Sequence, residues 1–407
     1  MNISKLELGP MWRALMRNKV GALLIALQIA VTMTIVINSL SIVVERNDMM
    51  QRASGLDEEN TFYLTSTGYS SEYDGKATAT EDLLAIKDMP GIINAIQINA
   101  IPISGGGWSM SLATEPGDDI EGIGTAIYMV NENGIDTLDL ELIAGRNFTP
   151  NEIRWRMPSQ SNWPDTTIVS EAMAIALFDS AEAAVGKTVY IGDGEPMTII
   201  GVVDQLQAPW VGWDNLEQSI LTPENLGWAS TRYLIRTEAG QRDMMMPKVE
   251  DMLAERAQGR IVRNMDTITA TRDRSYRQHS AMIKILLSVI VCLTLITALG
   301  IVGLASFSVQ KRTRQIGTKR ALGASKASIM RYFMLENSMI SSVGIVIGIG
   351  LTIGLNMLLV EWFSLTPLDW FYIPTGIAVL YLVGQLAVLG PARKAANIAP
   401  ATATRTL

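Results

Sequence analysis

Four apolar runs, each long enough to cross a lipid bilayer, constrain this chain more than any other feature. They are Val20 to Val44, Ile283 to Val309, Met339 to Val360 and Trp370 to Leu389. The first carries no charge, and the second carries only Lys284, close to one end. A spanning helix needs about 20 predominantly apolar residues, because the bilayer core has no water to satisfy backbone groups. Pro374 falls in the first turn of the fourth run, where a missing N–H is tolerated. The first run follows the basic residues Lys5, Arg13, Arg17 and Lys19, as a signal peptide would. It is nevertheless too long, and no small-x-small cleavage site follows it, so it reads as an anchor.

The runs separate two unlike sets of residues. From Arg46 to Arg277 there are 18 Lys and Arg against 35 Asp and Glu. The N-terminal stretch, the segment between runs two and three and the C-terminal tail are basic, with Glu7 and Glu336 as the acidic exceptions. The excess of Lys and Arg predicts that both termini and the basic segment are cytoplasmic, with the acidic domain and the loop 361–369 outside. Trp362, Phe363, Trp370, Phe371 and Tyr372 flank that loop as an interfacial aromatic belt would. The expected order is an amphipathic cytoplasmic helix at 1–19, spans at 20–44, 281–309, 336–361 and 370–390, an outer domain with a stalk at 45–280, a coupling segment at 310–335, an outer loop at 362–369 and a tail at 391–407. The fold class is therefore membrane α-helical with an α+β extracytoplasmic domain. An acidic balance, net −7 for the chain, argues against nucleic acid as a partner.

Little in the outer domain points to catalysis. No GxxxxGK[ST] occurs, so the chain has no ATP-binding loop of that kind. Ser104 to Ser109 (SGGGWS) resembles a phosphate loop only superficially and reads as a turn. The single histidine, His279, argues against a His-based metal site, and it lies well apart in membrane depth from the single cysteine, Cys292 inside the second run, which argues against a Cys–His pair. Asp57-Glu58-Glu59 and Asp118-Asp119-Ile120-Glu121 lack the EF-hand spacing and read as solvated acidic faces. Ser170 to Phe178 begins with a capping Ser and reads as a helix. Val185 to Ile191 and Met197 to Val203 read as a hairpin across Gly192-Asp193-Gly194. Glu81–Lys87 and Met246–Gln258 read as helices, Ile92–Ile101 and Thr125–Val130 as strands, and Thr267–Met282 as a stalk running straight into the second span. The spans hold the neutral polar residues Gln28, Asn38, Asn356 and Gln385, which suit interhelical hydrogen bonds. With almost no ionisable group at membrane depth, they read as a packed bundle that transmits force, not as a substrate path.

The segment Ser308 to Asn337 is the most informative stretch for function. It carries Lys311, Arg312, Arg314, Lys319, Arg320, Lys326 and Arg331, with no acidic residue between them. It also carries the apolar residues Ile316, Leu322, Ile329, Met330 and Phe333 and a Gly323-Ala324-Ser325 break. Basic and apolar residues together in this segment predict a short helix that docks on another protein. In the third run Gly344 and Gly348, then Gly350 and Gly354, form small-xxx-small pairs. They suit close helix approach, either within the bundle or between copies.

The layout, with one span, a large outer domain, then three spans, resembles the MacB/FtsX-like permeases, the membrane subunits of mechanotransmission-type ABC transporters. Ser308 to Ala324 is similar to the family's S-V-x-x-R-x-x-E-I-G-x-x-x-A-x-G-A signature, with Gln315 in place of the usual Glu. That departure would weaken one contact to the ATPase. Pro391-Ala392 and Ala395-Ala396, followed by Pro400, resemble its P-A-x-x-A-A-x-x-x-P tail. Gly145-Arg146-Asn147-Phe148, Val185-Gly186-Lys187 and Ile200-Gly201-Val202-Val203 resemble its outer-domain motifs. The resemblance implies a bacterial inner-membrane protein whose periplasmic domain has a porter-like βαβ part and a β-rich part. It implies a dimer, with a second copy or a paralogous permease, working with an ABC ATPase on a separate chain. That ATPase would bind ATP and Mg, with no cofactor and no catalytic residue on this chain. Arg314, Gly323, Ala324, Ser325, Lys326, Ile329, Met330, Arg331 and Phe333 would dock it. The implied function is ATP-driven efflux or export with a periplasmic adaptor, an outer-membrane channel being a further implied partner. Two alternatives stay open: a lipoprotein-releasing permease, and an FtsX-like regulator of an envelope enzyme that transports nothing.

Overall fold

A computed structural model of the chain describes residues 19–399, apart from 118, 119, 121, 193, 257, 258, 364 and 365. The expected amphipathic helix at 1–19 and the end of the tail lie almost wholly outside the described residues, as does most of the acidic run at 118–121. The chain forms two units, one of residues up to Met50 and from His279 onward, the other spanning Gln51–Gln278.

The first unit contains four helices long and apolar enough to cross a membrane: Lys19–Gln51, Arg277–Lys311, Lys326–Phe363 and Tyr372–Ala396. The first lies at the centre. Ile25, Ile29, Met33 and Ile37, spaced at i, i+4, form one buried stripe. They pack with Ile301 of the second helix, Ile345 of the third and Leu380 and Val388 of the fourth. Neutral polar groups tie the same helices together. The Thr32 and Thr297 hydroxyls lie 2.7 Å apart, Gln28 donates to the Ile296 carbonyl at 3.0 Å, and Asn38 donates to the Thr352 carbonyl at 3.3 Å. Gln385 donates to Ser338 at 3.0 Å, whereas Asn356 accepts from the Leu368 amide in the loop before the fourth helix. Such bonds are worth about 0.6 kcal/mol each in a bilayer.

The two glycine pairs behave differently. A Cβ on Gly344 would lie 2.6 Å from the Ala26 carbonyl oxygen, and one on Gly348 would lie 2.9 Å from the Met33 sulfur. This pair lets the third helix press directly on the first. A Cβ on Gly350 or Gly354 would meet nothing within 4 Å, so the second pair takes no part in packing within the chain.

The second unit is built on twelve strands among the described residues. These are β1 (Thr61–Gly68), β2 (Ile92–Gln97), β3 (Trp108–Ala113), β4 (Ile123–Val130), β5 (Leu142–Gly145) and β6 (Arg154–Arg156). They continue with β7 (Thr166–Ser170), β8 (Thr188–Ile191), β9 (Glu195–Val203), β10 (Ser219–Leu226), β11 (Ser230–Thr237) and β12 (Arg260–Thr267). The outer four form an antiparallel sheet in the order β12-β1-β11-β2. With helices Gly75–Lys87 and Arg242–Arg256 as crossovers, this is a split βαβ arrangement. Alternation along the strands sends Phe62, Leu64, Tyr233 and Ile235 toward Ala79, Ile86, Val249 and Leu253 of those helices. The Asp82 carboxylate and the Arg260 guanidinium are paired at the sheet–helix junction, and Tyr233 donates to Asp82 at 2.6 Å. Burial, then the charge of Asp82, pushes the Tyr233 phenol well above its ordinary range.

The other eight strands are inserted between β2 and β11. Six of them, β4-β3-β8-β9-β7-β10, close on themselves through the parallel pairing of Ser219–Pro223 with Ala126–Val130. Closure removes exposed strand edges. Leu112, Ile127, Met129, Val189, Ile199, Val202 and Ile220 pack together in the core of this part. The βαβ part and the β-rich part are thus both present, and the β-rich part is a closed ring. Sequence reasoning identified the β8–β9 hairpin and the Ser170-capped helix Glu171–Phe178.

Three expectations need correction. The stalk is not one helix: Ile268–Ser275 ends at Tyr276, and a new helix begins at Arg277. Asp57 and Glu58 are not a solvated face, because Asp57 lies 3.6 Å from Arg236 and Glu58 pairs with Arg272. Gly323–Phe333 is not a short helix of its own: the helix that carries the third span runs unbroken from Lys326 and includes its second part.

Two of the outer-domain motifs form one contact. Gly145 adopts φ +76° and pairs with Gly201 of β9. A Cβ on Gly201 would lie 2.5 Å from the Arg146 carbonyl oxygen. Arg146 then holds Glu152 at 2.7 Å, and Phe148 enters the core. The hydrogen bond from Arg146 pulls the Glu152 carboxyl down to about 2. Its stabilisation is therefore complete above the ordinary carboxylate range and lost as pH falls through about 2. At this exposed site it is worth under about 1 kcal/mol. Gly201→Ala is expected to cost about 1–3 kcal/mol by overpacking. Gly212→Ala, where a Cβ meets nothing within 4 Å, should be neutral. Proteolysis of the full chain across a temperature ramp distinguishes the two, and equal midpoints would refute the contact.

Candidate functional site

The basic segment folds as a cap on one end of the membrane bundle. The second helix stops at Lys311, and Arg312 occupies the N-cap of a short helix, Thr313–Ala321. That helix closes with a Schellman motif. The Gly323 amide donates to the Arg320 carbonyl at 3.1 Å, and the Ala324 amide donates to the Lys319 carbonyl at 3.0 Å. Gly323 takes φ +94°, a conformation that other residues adopt only with strain. Ser325 then accepts from the Ser328 amide at 3.2 Å and starts the third membrane helix. The Gly-Ala-Ser break is thus a helix stop followed at once by a helix start.

The apolar residues of the segment turn inward, Leu322 excepted. Ile316, Ile329 and Phe333 are buried with Val309 of the second helix and with Ala392, Ala395 and Ala396 of the fourth, and Met330 packs at their edge. The basic segment and the Pro-Ala…Ala-Ala tail motif are therefore two sides of one contact, with small residues on one side because large ones face them. Sequence reasoning took Ile329 and Phe333 as outward anchors for a partner. The structure places them in the cap core, so their contribution is to hold the segment rather than to touch anything beyond it.

A charge pair locks the cap. The Arg312 guanidinium faces both oxygens of Glu336 at 3.0 Å and lies 3.4 Å from the Tyr332 hydroxyl. Glu336 is buried, so the pair crosses from the end of the second helix to the third with little competition from water. Arg320 donates to the Ala324 carbonyl, and Lys319 sits over the Tyr332 ring at 4.9 Å.

What faces outward is the remainder. Arg314, Lys319, Lys326 and Arg331 are exposed, together with Gly323, Ser325, Ala327 and Ser328. Arg393 and Lys394 of the fourth helix add two more exposed cations. Among them stands Leu322, 84% exposed, the most exposed large apolar side chain among the described residues. Sequence reasoning counted Leu322 among the apolar residues of the segment but not among those that would dock the ATPase. Its signal was its position as the last residue before the helix-stopping glycine, where a side chain has no helical neighbour to pack on. The face is a cationic surface with one projecting apolar side chain and small residues that let a partner approach. Nothing in it is arranged for covalent chemistry.

Fold and cap together define a protein with four membrane-length helices and a large extracytoplasmic domain. The chain belongs to the MacB/FtsX-like family of ABC transporter permeases: the MacB-like periplasmic core domain matches residues 22–263, and the FtsX-like permease C-terminal region matches residues 287–400. It is 27% identical over 279 residues to the macrolide export ATP-binding/permease protein MacB of Chromobacterium violaceum, covering 64% of this chain and 40% of that one. It is 26% identical over 291 residues to the ABC transporter permease YknZ of Bacillus subtilis, covering 68% of each. A third relative, MacB of Hyphomonas neptunium, is 24% identical over 386 residues, covering 88% of this chain and 54% of that one. The chain thus spans about half the length of the MacB relatives. Among solved structures it is similar to the extracellular domain of the YknZ transporter from Gram-positive bacteria, at 18% identity and a TM-score of 0.31, covering 50% of this chain and 100% of that one. It is also similar to the periplasmic region of MacB from Actinobacillus actinomycetemcomitans, at 15% identity and a TM-score of 0.32, covering 53% of this chain and 94% of that one.

Removing one partner of the buried pair should leave an uncompensated charge. Glu336→Ala is expected to cost about 3–5 kcal/mol, and the double change Arg312→Leu with Glu336→Leu should recover most of it. Thermal unfolding of the chain in lipid nanodiscs reads both. An unchanged midpoint for Glu336→Ala would remove the pair from the account.

Proposed function

We propose that this chain is the permease subunit of an ATP-driven export complex, with ATP hydrolysed on a separate ABC ATPase docked against the basic cap. The observation that carries this reading is the cap itself, a cationic face with Leu322 projecting from it, fixed to the membrane helices by a buried apolar cluster and the Arg312–Glu336 pair. A surface that only attracted anionic lipid would need the charges but not the rigid fixing. Lys326 and Arg331 lie on the first turns of the third membrane helix, so a push on them moves that helix.

In this reading the basic cap and both termini are cytoplasmic, and the extramembrane unit is periplasmic. ATP-driven closure of two ATPases would press two permeases together. The motion would travel along the third and first helices to the outer unit, and substrate would be handled outside the bilayer. That fits the scarcity of ionisable groups in the spans. A second permease copy and a periplasmic adaptor complete the proposed complex.

Charge reversal at both Lys326 and Arg331, and separately Leu322→Asp, should weaken association with the ATPase by roughly tenfold or more while leaving the chain folded. Truncating Ile329 to Ala should instead lower thermal stability, because that side chain is inside the cap. Co-purification and unfolding measured on the same samples separate the effects. Full association in both surface variants would remove the cap from the docking site.

A further inference from the structure

A cavity of about 610 Å3 opens on the face of the four-stranded sheet opposite its two helices. Thr65 of β1 and Arg232 of β11, direct cross-strand neighbours, line it, and Asn264 and Asp266 of β12 stand at one side. The Ser104–Trp108 loop, the glycine-rich stretch with no role in the transport reading, stands at another. A volume of this size suits a small molecule.

Arg232 is the unusual member. Other half-buried or buried arginines of the unit each hold a carboxylate: Arg154 and Arg156 hold Glu224, Arg236 holds Asp139, Arg260 holds Asp82 and Arg272 holds Glu58. Among the described residues no carboxylate lies within ion-pair distance of Arg232. One of its terminal nitrogens donates to the Asn99 carbonyl at 2.9 Å, which fixes the guanidinium, and its buried Nε has no hydrogen-bond partner. Burial lowers its pKa from the ordinary value, and the Tyr63 phenol, which lines the same cavity, offsets that only in part. Arg274 lines the same cavity, paired with Asp266, so the lining carries one net positive charge.

The loop leaves the space open. Gly105 takes φ +84°, and a Cβ on Gly105 or Gly106 would meet nothing within 4 Å. A fixed guanidinium with no carboxylate partner, lining a cavity with polar walls, is a donor suited to carboxylate and phosphate oxygens.

We propose that this cleft binds a small anion bearing a carboxylate or a phosphate, with Arg232 as its principal oxyanion donor. The site is independent of ATPase docking, and failure of either reading leaves the other standing.

The test is calorimetric titration of the full-length chain in nanodiscs with citrate and, separately, with inorganic phosphate, each up to about 10 mM. Saturable binding is expected for at least one probe, and the tighter one assigns the ligand's oxyanion. Arg232→Gln should weaken it by roughly tenfold or more. Gly106→Asp, which places a carboxylate in open space beside the cleft without touching the core, should do the same, whereas Gly106→Asn should bind as the unaltered chain does. If Arg232→Gln fails to fold, the Gly106 pair decides alone. No saturable binding of either probe, or binding that survives Gly106→Asp, overturns the proposal.

Discussion

The approach of the third membrane helix to the first, permitted by Gly344 and Gly348, is the contact on which the rest of the molecule depends. It puts backbone against backbone where lipid offers no hydrophobic drive for association and close packing must supply it. The third helix is 38 residues long, or roughly 57 Å at 1.5 Å per residue, so it runs as one rod from the cap and exceeds the roughly 30 Å hydrocarbon core of a bilayer. The first helix leads directly into the extramembrane unit at Gln51. In the proposed complex, a displacement of the cap would displace the rod that packs on the first helix.

The cap makes that rod useful. Its apolar residues are used internally, with Ile316, Ile329 and Phe333 set against the alanines of the fourth helix. Cations, small residues, Gln315, Thr318 and Leu322 are left outside. A segment that met its partner through loosely held anchors would lose applied motion in its own rearrangement. One held by a buried cluster and an Arg–Glu bridge would, in the proposed complex, pass the motion on. In the extramembrane unit the same economy appears in the contact between Gly145–Phe148 and Ile200–Val203, which fastens β5 to the ring of strands.

Much of this was legible because it is local. Membrane-length apolar runs, the capping Ser170, the turn glycines around position 193 and the cluster of Lys and Arg each act within a few residues. What the sequence did not disclose depends on distant partners. The ring closes through β4 and β10, almost a hundred residues apart, and no periodicity in either strand announces it. Ile329 and Phe333 look the same in sequence whether they face a partner or the fourth helix. Ala392 and Ala395 decide the matter from sixty residues away. Gly344–Gly348 and Gly350–Gly354 are equal as motifs, and only the position of the first helix separates them. Arg232 gave no signal at all, because its distinction is the carboxylate it lacks. The continuity of the third helix below Glu336 was obscured by charge: polar residues at 326–335 read as a separate segment, although nothing after Ser325 breaks a helix.

The central claim is that the outward face of the cap meets an ABC ATPase. The most direct measurement is site-specific photocrosslinking in native membranes, with a photoreactive residue in place of the exposed Ser328 and, as a control, in place of the buried Ile329. The account predicts a crosslink from position 328 to an ABC-type ATPase, identified by mass spectrometry, and none to that protein from position 329. Crosslinks from position 328 that reach only lipid, or a protein without an ATP-binding fold, would contradict it.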